Sequence, residues 1–201
     1  FNLAKRVFLN LINKFPSSIN PYILLAEILK IENKFKDAER VLLKAIKIDP
    51  NHGDLLYNLS LLYFALRNFD YALVYIDKAI ELSKNNDIYK LLKSEIHINK
   101  LNIDEALCIL EALNKNNKIK KDNNKEIRIN ILLADAFLKK RKFEEAEIIL
   151  LKLIKKYQGL ELAYLNLSIL YNHKNQLSKS IKILKKGINV SPNFMPFYKN
   201  L

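Results

Sequence analysis

Histidines, cysteines, clustered carboxylates and glycine-rich turns are where a polypeptide can carry catalysis or hold a cofactor. None of these groups assembles in this 201-residue chain. His52, His97 and His173 are far apart and stand in no metal-ligand spacing with one another or with the single cysteine, Cys108. Surface or partly buried imidazoles are expected instead. Cys108 has no motif partner, so a packed thiol is expected rather than a nucleophile. With one cysteine no intramolecular disulfide can form, which suits a reducing compartment. Gly53, Gly159 and Gly187 are too widely separated to build a phosphate-cradling loop. Carboxylates such as Glu144, Glu145 and Glu147 follow a helix surface and read as a solvated face, not as an acid–base pair. The expectation is a chain without catalytic residues, cofactor-binding residues or a metal site.

Charge is the next chemical signal. Lys and Arg number 34 against 21 Asp and Glu, a formal net charge of +13. A basic excess raises nucleic-acid binding, but only five of the cations are Arg (Arg6, Arg40, Arg67, Arg128 and Arg141), the side chain that makes bidentate phosphate and base contacts. Abundant Lys, Asn and Ile is what AT-rich coding produces, so the basic surface reads as solvated and nucleic acid is not the expected partner. The apolar runs are short and interrupted by Lys, Asn or Glu, so no segment is expected to span a bilayer. No signal peptide is visible, and a cytoplasmic location is expected. The sequence starts at Phe1 and not at Met, as an excerpt of a longer chain would.

The elements that position these side chains come from internal repetition. Small residues fall at Ala4, Ala38, Ala72, Ala106, Ala146 and Ser180, at steps of 34, 34, 34, 40 and 34. Three residues before each lies a large apolar residue: Phe1, Phe35, Phe69, Ile103, Phe143 and Leu177. Four after come Phe8, Leu42, Ile76, Leu110, Leu150 and Leu184, and seven after come Leu11, Ala45, Ala79, Leu113, Leu153 and Gly187. Twelve before the small residue is a second small one: Ala26, Ser60, Ser94, Ala134 and Ser168. Tyr22, Leu56 and Tyr164 lie sixteen before, and Leu25, Leu59, Leu133 and Leu167 thirteen before. Offsets of 3, 4 and 7 put each set on one helix face, and facing small residues let two helices approach closely. Polar turns separate the halves at Glu32-Asn33-Lys34, Arg67-Asn68, Arg141-Lys142 and Asn175-Gln176. Asp70, Asp104 and Ser178 recur at one place and suit capping of the second helix.

A 34-residue period with large and small residues in fixed slots, closed by Pro16, Pro50 or Pro192, resembles the tetratricopeptide repeat family. The resemblance covers essentially the whole chain. It implies an all-α fold, a right-handed superhelical solenoid of antiparallel helix pairs. On it the chain divides into a partial unit 1–18, full units 19–52, 53–86, 87–120, 127–160 and 161–194, and a partial unit 195–201, so the array is expected to be cut mid-repeat at both ends. Two departures stand out. Unit 87–120 places Lys90, Lys93 and His97 where large apolar residues belong, while Tyr89, Leu92 and Ile96 carry the spacing one residue earlier. Its first helix is therefore expected to be slid by one residue, with an extra residue in the turn near Leu101. The six-residue excess falls in 114–126, a polar stretch expected to be an exposed, mobile loop insertion with a hinge between 1–113 and 127–201.

In this family the first helices line a concave groove. On that resemblance the groove would hold a peptide or partner helix through Ile23, Glu27, Tyr57, Asn58, Leu61, Phe64, Ile131, Leu138, Asn166 and Ile169. Asn58, Asn166 and Asn200 share one slot and resemble the asparagine ladder with which some relatives grip a peptide backbone, though Leu24 and Leu132 interrupt it. The resemblance thus implies a non-enzymatic interaction scaffold. Two alternatives stay open: a substrate-recruiting arm of a larger enzyme of glycosyltransferase or sulfotransferase type, and an RNA-binding helical-repeat surface, whose affinity would fall steeply with salt. The oligomeric state is not readable.

Overall fold

The computed structural model describes residues 2–115 and 122–201; Phe1 and the centre of the 114–126 stretch lie outside them. Among the described residues there are twelve α-helices and no strand. The chain divides into two compact units, Phe1–Lys100 and Leu101–Leu201. The first holds α1 (Asn2–Lys14), α2 (Asn20–Ile31), α3 (Phe35–Ile48), α4 (Gly53–Ala65), α5 (Phe69–Leu82) and α6 (Asp87–Asn99). The second holds α7 (Ile103–Asn114), α8 (Asn123–Lys139), α9 (Phe143–Lys156), α10 (Glu161–His173), α11 (Leu177–Val190) and α12 (Met195–Asn200).

Most of these helices are three to four turns long, too short to persist alone in water, so their stability comes from packing one apolar face on a neighbour. In the first unit α2 pairs with α3 and α4 with α5, and each pair rests on the next helix in the chain; in the second, α8 pairs with α9 and α10 with α11. The small-residue slots are the seams. Ala26, Ala38, Ser60, Ala72, Ala134, Ala146, Ser168 and Ser180 are sealed from solvent, with Leu42, Leu59, Leu150 and Leu167 beside them. Two serines use the close approach to bond across it: Ser60 Oγ donates to the Ala72 carbonyl at 2.8 Å and Ser180 Oγ to the Ser168 carbonyl at 3.0 Å.

Each helix pair turns on one residue in the left-handed region: Asn33, Arg67, Leu101, Arg141 and Asn175, with φ between 56° and 67°. The geometry lets the chain close back on the helix end. Lys34, Asn68, Lys142 and Gln176 each donate their N–H to the carbonyl five residues earlier, which satisfies a carbonyl that the helix itself leaves open.

Four expectations are corrected here. The helix α6 is not slid, and its turn carries no extra residue. Its connection to α7 is three residues, 100–102, matching 66–68 between α4 and α5, and Leu101 holds the left-handed position that Arg67 holds. Tyr89, Leu92 and Ile96 are buried because they occupy the slots of Leu55, Asn58 and Leu62, which are buried too. Lys90 and Lys93 accept half-burial in place, Lys93 by pairing with Asp77 at 2.7 Å. Second, the 114–126 stretch is partly helical: Asn114 ends α7 and 123–126 open α8, capped by Asp122 Oδ1 on the Asn124 and Lys125 N–H groups. Glu126 is tied down by Lys156 at 2.7 Å. Third, the chain divides between Lys100 and Leu101 rather than at the 114–126 stretch, since α7 packs on α8 within the second unit. Fourth, Asp70 and Asp104 do not cap. Asn68 occupies the cap of α5 and accepts from the Tyr71 N–H, while Asp70 and Asp104, inside the first turn, pair with Lys100 and Lys140; Ser178 likewise lies past Gln176, the residue at the cap of α11.

Candidate interaction site on the first helices

Among the described residues no group of three or more His, Cys, Asp or Glu side chains could hold a metal ion, and no helix is long and apolar enough to cross a membrane. Cys108 is exposed on α7, contrary to the packed thiol expected of it. Two histidines make local contacts: His52 Nδ1 accepts from the Leu55 N–H at the start of α4, and the His173 ring stacks on Phe143 with centroids 6.0 Å apart; His97, contrary to expectation, is buried on α6.

In the first unit the predicted groove residues are largely built into packing. Ile23 and Asn58 are buried, Tyr57, Leu61 and Phe64 are half-buried, and Glu27 is exposed. The Tyr57 ring stacks on Tyr89 at 5.3 Å, and Tyr89 in turn donates its hydroxyl to Asp54 Oδ1 at 2.7 Å. Burial first, and Asp54 second, push the Tyr89 phenol far above its ordinary value. Phe64 rests on Phe69 at 6.0 Å. One turn from Glu27, Lys30 is held below the ordinary lysine value by burial, with the Glu27 carboxylate opposing that shift. Asn58 is committed to its own helix: its Nδ2 donates to the Asp54 carbonyl at 2.9 Å, leaving a buried Oδ1 without a partner. Asn200 makes the same backward bond, to the Pro196 carbonyl at 2.8 Å.

The second unit differs. Leu138, Asn166 and Ile169, from two first helices, converge on a cleft of about 310 Å³ between α8 and α10. Leu138 is buried, Asn166 and Ile169 are half-buried, and Ile131, also half-buried, packs with the same core cluster. Asp135 of α8 and His173 of α10 complete the first-helix side of its lining. Lys139, Arg141 and Phe143 also line it. These last three lie at the helix end and turn, positions that a first-helix reading misses, because the turn folds back beside the helix it ends. Asp135 and Lys139 pair with each other at 3.4 Å. The cleft thus combines an apolar floor, a neutral amide and a charged edge, which suits a peptide side chain and the backbone next to it. A wider cleft of about 550 Å³ lies among α7, α8 and α9, lined by Ile149 and Leu153 together with Glu111, Glu126, Lys115, Lys152 and Lys156. No repeat-slot argument points to it, since it opens where the 40-residue step interrupts the period.

Known proteins bear on this geometry. Sequence profiles described as tetratricopeptide repeat match residues 29–96 and 162–194. The human protein O-mannosyl-transferase TMTC3 is 28% identical over 196 residues, a match that takes in 94% of this chain and 20% of that protein, so the chain spans about a fifth of its curated relative. Among solved structures, a tetratricopeptide repeat protein from Parabacteroides merdae superposes with a TM-score of 0.82 at 17% identity, covering 98% of this chain and 75% of the other. YrrB, described as a tetratricopeptide repeat protein with an unusual peptide-binding site, superposes at 0.61 with 20% identity and 96% coverage of both chains. PilF of Pseudomonas aeruginosa does so at 0.72 with 16% identity, covering 86% of this chain and 76% of that one.

Proposed function

Because the chain belongs to the tetratricopeptide repeat family, we propose that it is a protein-interaction scaffold that holds a peptide or partner helix on its first-helix faces. The observation that carries this reading is the cleft between α8 and α10, where Leu138, Asn166 and Ile169 gather. An amide offers a donor and an acceptor to an extended backbone whatever its sequence, and the apolar floor takes a side chain. In the first unit, Ile23, Glu27, Tyr57, Asn58, Leu61 and Phe64 are proposed to form the corresponding face, with Glu27 the most accessible of them. The test is selection of peptides from a displayed library on the 201-residue chain, followed by titration of the winners. An Asn166→Ala/Ile169→Ala variant with unchanged helicity is expected to bind at least about tenfold more weakly, about 1.4 kcal/mol. Equal binding by the variant would remove the second-unit face from the proposal.

A second reading has one observation in its favour. The human relative matched across nearly all of this chain is named as a transferase. On that basis the array is the substrate-recruiting arm of a larger enzyme of glycosyltransferase type. Sequencing the complete reading frame decides it: a glycosyltransferase domain is expected on the same polypeptide, and a frame without one eliminates this reading.

A further inference from the structure

We propose that the cleft between α8 and α10 takes an acidic peptide segment, one in which Asp or Glu stands two residues from a large apolar side chain. This rests on the reading of that cleft as a peptide site and adds the chemistry of its ligand. The sign of the cleft's edge is decided in the run Lys139-Lys140-Arg141-Lys142, four consecutive cations where α8 ends. Each lysine is answered by a carboxylate of the same unit: Lys139 by Asp135 at 3.4 Å, Lys140 by Asp104, and Lys142 by Glu145 at 3.6 Å. Arg141 lines the cleft, is exposed, and has no carboxylate within ion-pair reach among the described residues. Asp135, the acidic residue of the lining, is the carboxylate that Lys139 holds. The edge therefore keeps an unanswered guanidinium, whose fork of donors matches a carboxylate.

The facing amide is free to meet a backbone. Asn58 and Asn200, in the slot of Asn166, spend their Nδ2 donors on the carbonyl four residues earlier, as Asn99 and Asn130 do on their own helices. Among the described residues Asn166 makes no such bond, and it stands half-buried at the cleft. Asn166, Ile169 and His173 are three and four residues apart and so follow one face of α10. Opposite them Leu138 and Arg141 are three residues apart, which makes the apolar floor and the guanidinium neighbours. In an extended peptide, side chains two residues apart leave on one side, about 7 Å from each other. That spacing seats an apolar side chain on Leu138 and Ile169 with a carboxylate at Arg141, while the Asn166 amide donates to and accepts from the backbone. The cleft's volume, about 310 Å³, admits one large side chain. The net charge of +13 draws an acidic segment in from solution.

The test selects peptides from a displayed random library on the 201-residue chain and titrates the best of them as free peptides with both ends blocked. Blocked ends make a side chain, and not a terminal carboxylate, the anion that is measured. Enrichment of Asp or Glu two positions from Leu, Ile, Met or Phe is expected. Arg141→Asn puts in the turn the residue type that Asn33 and Asn175 already carry there, so the fold is kept. It is expected to weaken the acidic peptide at least about tenfold and to leave unchanged the weaker binding of the peptide's amide analogue, with Asn for Asp or Gln for Glu. Arg67→Asn, which removes the same charge from a residue outside the cleft, is expected to leave both unchanged. Peptides without an acidic preference that still lose affinity through Asn166→Ala/Ile169→Ala would overturn the acidic ligand and leave the peptide site standing. A library without binders would remove the site and its ligand together. Equal losses from Arg141→Asn and Arg67→Asn would reduce the effect to net charge and overturn the proposal. An oligouridylate that binds more tightly than any selected peptide, and loses that affinity in Arg141→Asn, would assign the cleft to nucleic acid instead.

Discussion

Tyr63 joins the dry seam of the first unit to its polar rim. Its ring stacks against Tyr71 and Tyr75 on α5 at 5.3 and 5.5 Å, and its hydroxyl donates to Glu39 on α3 at 2.6 Å. Tyr171 repeats the bond to Glu147 at 2.8 Å in the equivalent slots of the second unit. Burial first, then the carboxylate, raises the Tyr63 phenol well above its ordinary value, and Tyr89 and Tyr171 are raised for the same reasons. A phenol raised by folding contributes stability that is whole below about pH 10, the ordinary tyrosine value, and is lost as the pH climbs toward the raised value. Melting curves between about pH 8 and about pH 11 should therefore fall steeply on the alkaline side, and a Tyr63→Phe/Tyr89→Phe variant should flatten that limb. A limb unchanged by the variant would place the alkaline sensitivity elsewhere. At this scale the slot pattern made the buried residues legible: Ala38, Leu42, Leu59 and Leu150 are sealed as the spacing predicts. It did not separate Asn58 from Asn166. Both hold the same slot, but the Asn58 amide is spent on the Asp54 carbonyl whereas Asn166 borders a cleft. That choice depends on what a neighbouring helix leaves open, which no single-slot pattern encodes.

The helices were legible because apolar spacing and length decide them together; their ends were less so. The polar run at 114–126 suggested a loop, yet its last residues open α8. The signal was present: Asp122 followed by Glu126 is a cap and an acidic first turn. The sequence of α6 suggested a slip of register, since Lys90 and Lys93 replaced apolar residues. The backbone kept its register because the turn at 100–102 has the length and left-handed residue of its counterparts, and a long lysine stem can lie along apolar surface with its ammonium outside. Those turns carry a cost. A side chain in the left-handed region is disfavoured by roughly 1 kcal/mol unless it is Gly or Asn. Arg67, with φ 58°, should therefore become more stable by about that amount as Arg67→Gly, read from urea unfolding, whereas Asn33→Gly, at φ 59°, should change little. Equal effects at both positions would show that the turn conformation is not what the two residues are resisting.

At the scale of the molecule, each unit's stability is carried by sealed leucines in separate core clusters, one holding Leu59 and another Leu150. Leu59→Ala and Leu150→Ala should each cost on the order of 2–5 kcal/mol in chemical denaturation. Since the clusters share no residue, the double variant should equal the sum of the two within about 0.5 kcal/mol. A much smaller single effect would mean that the repeat register is misplaced. The sequence by itself determined the class of the fold, the helices that build it and the small residues at their seams, because a 34-residue period repeats the same burial requirement in each copy and neighbouring copies satisfy it. Tertiary structure alone decided the rest. It set the division at Lys100 and Leu101, the helical ends of the 114–126 stretch and the cleft between α8 and α10. Each of these depends on which surface a neighbour covers, a quantity set by three-dimensional packing and not by the spacing of residues along one helix.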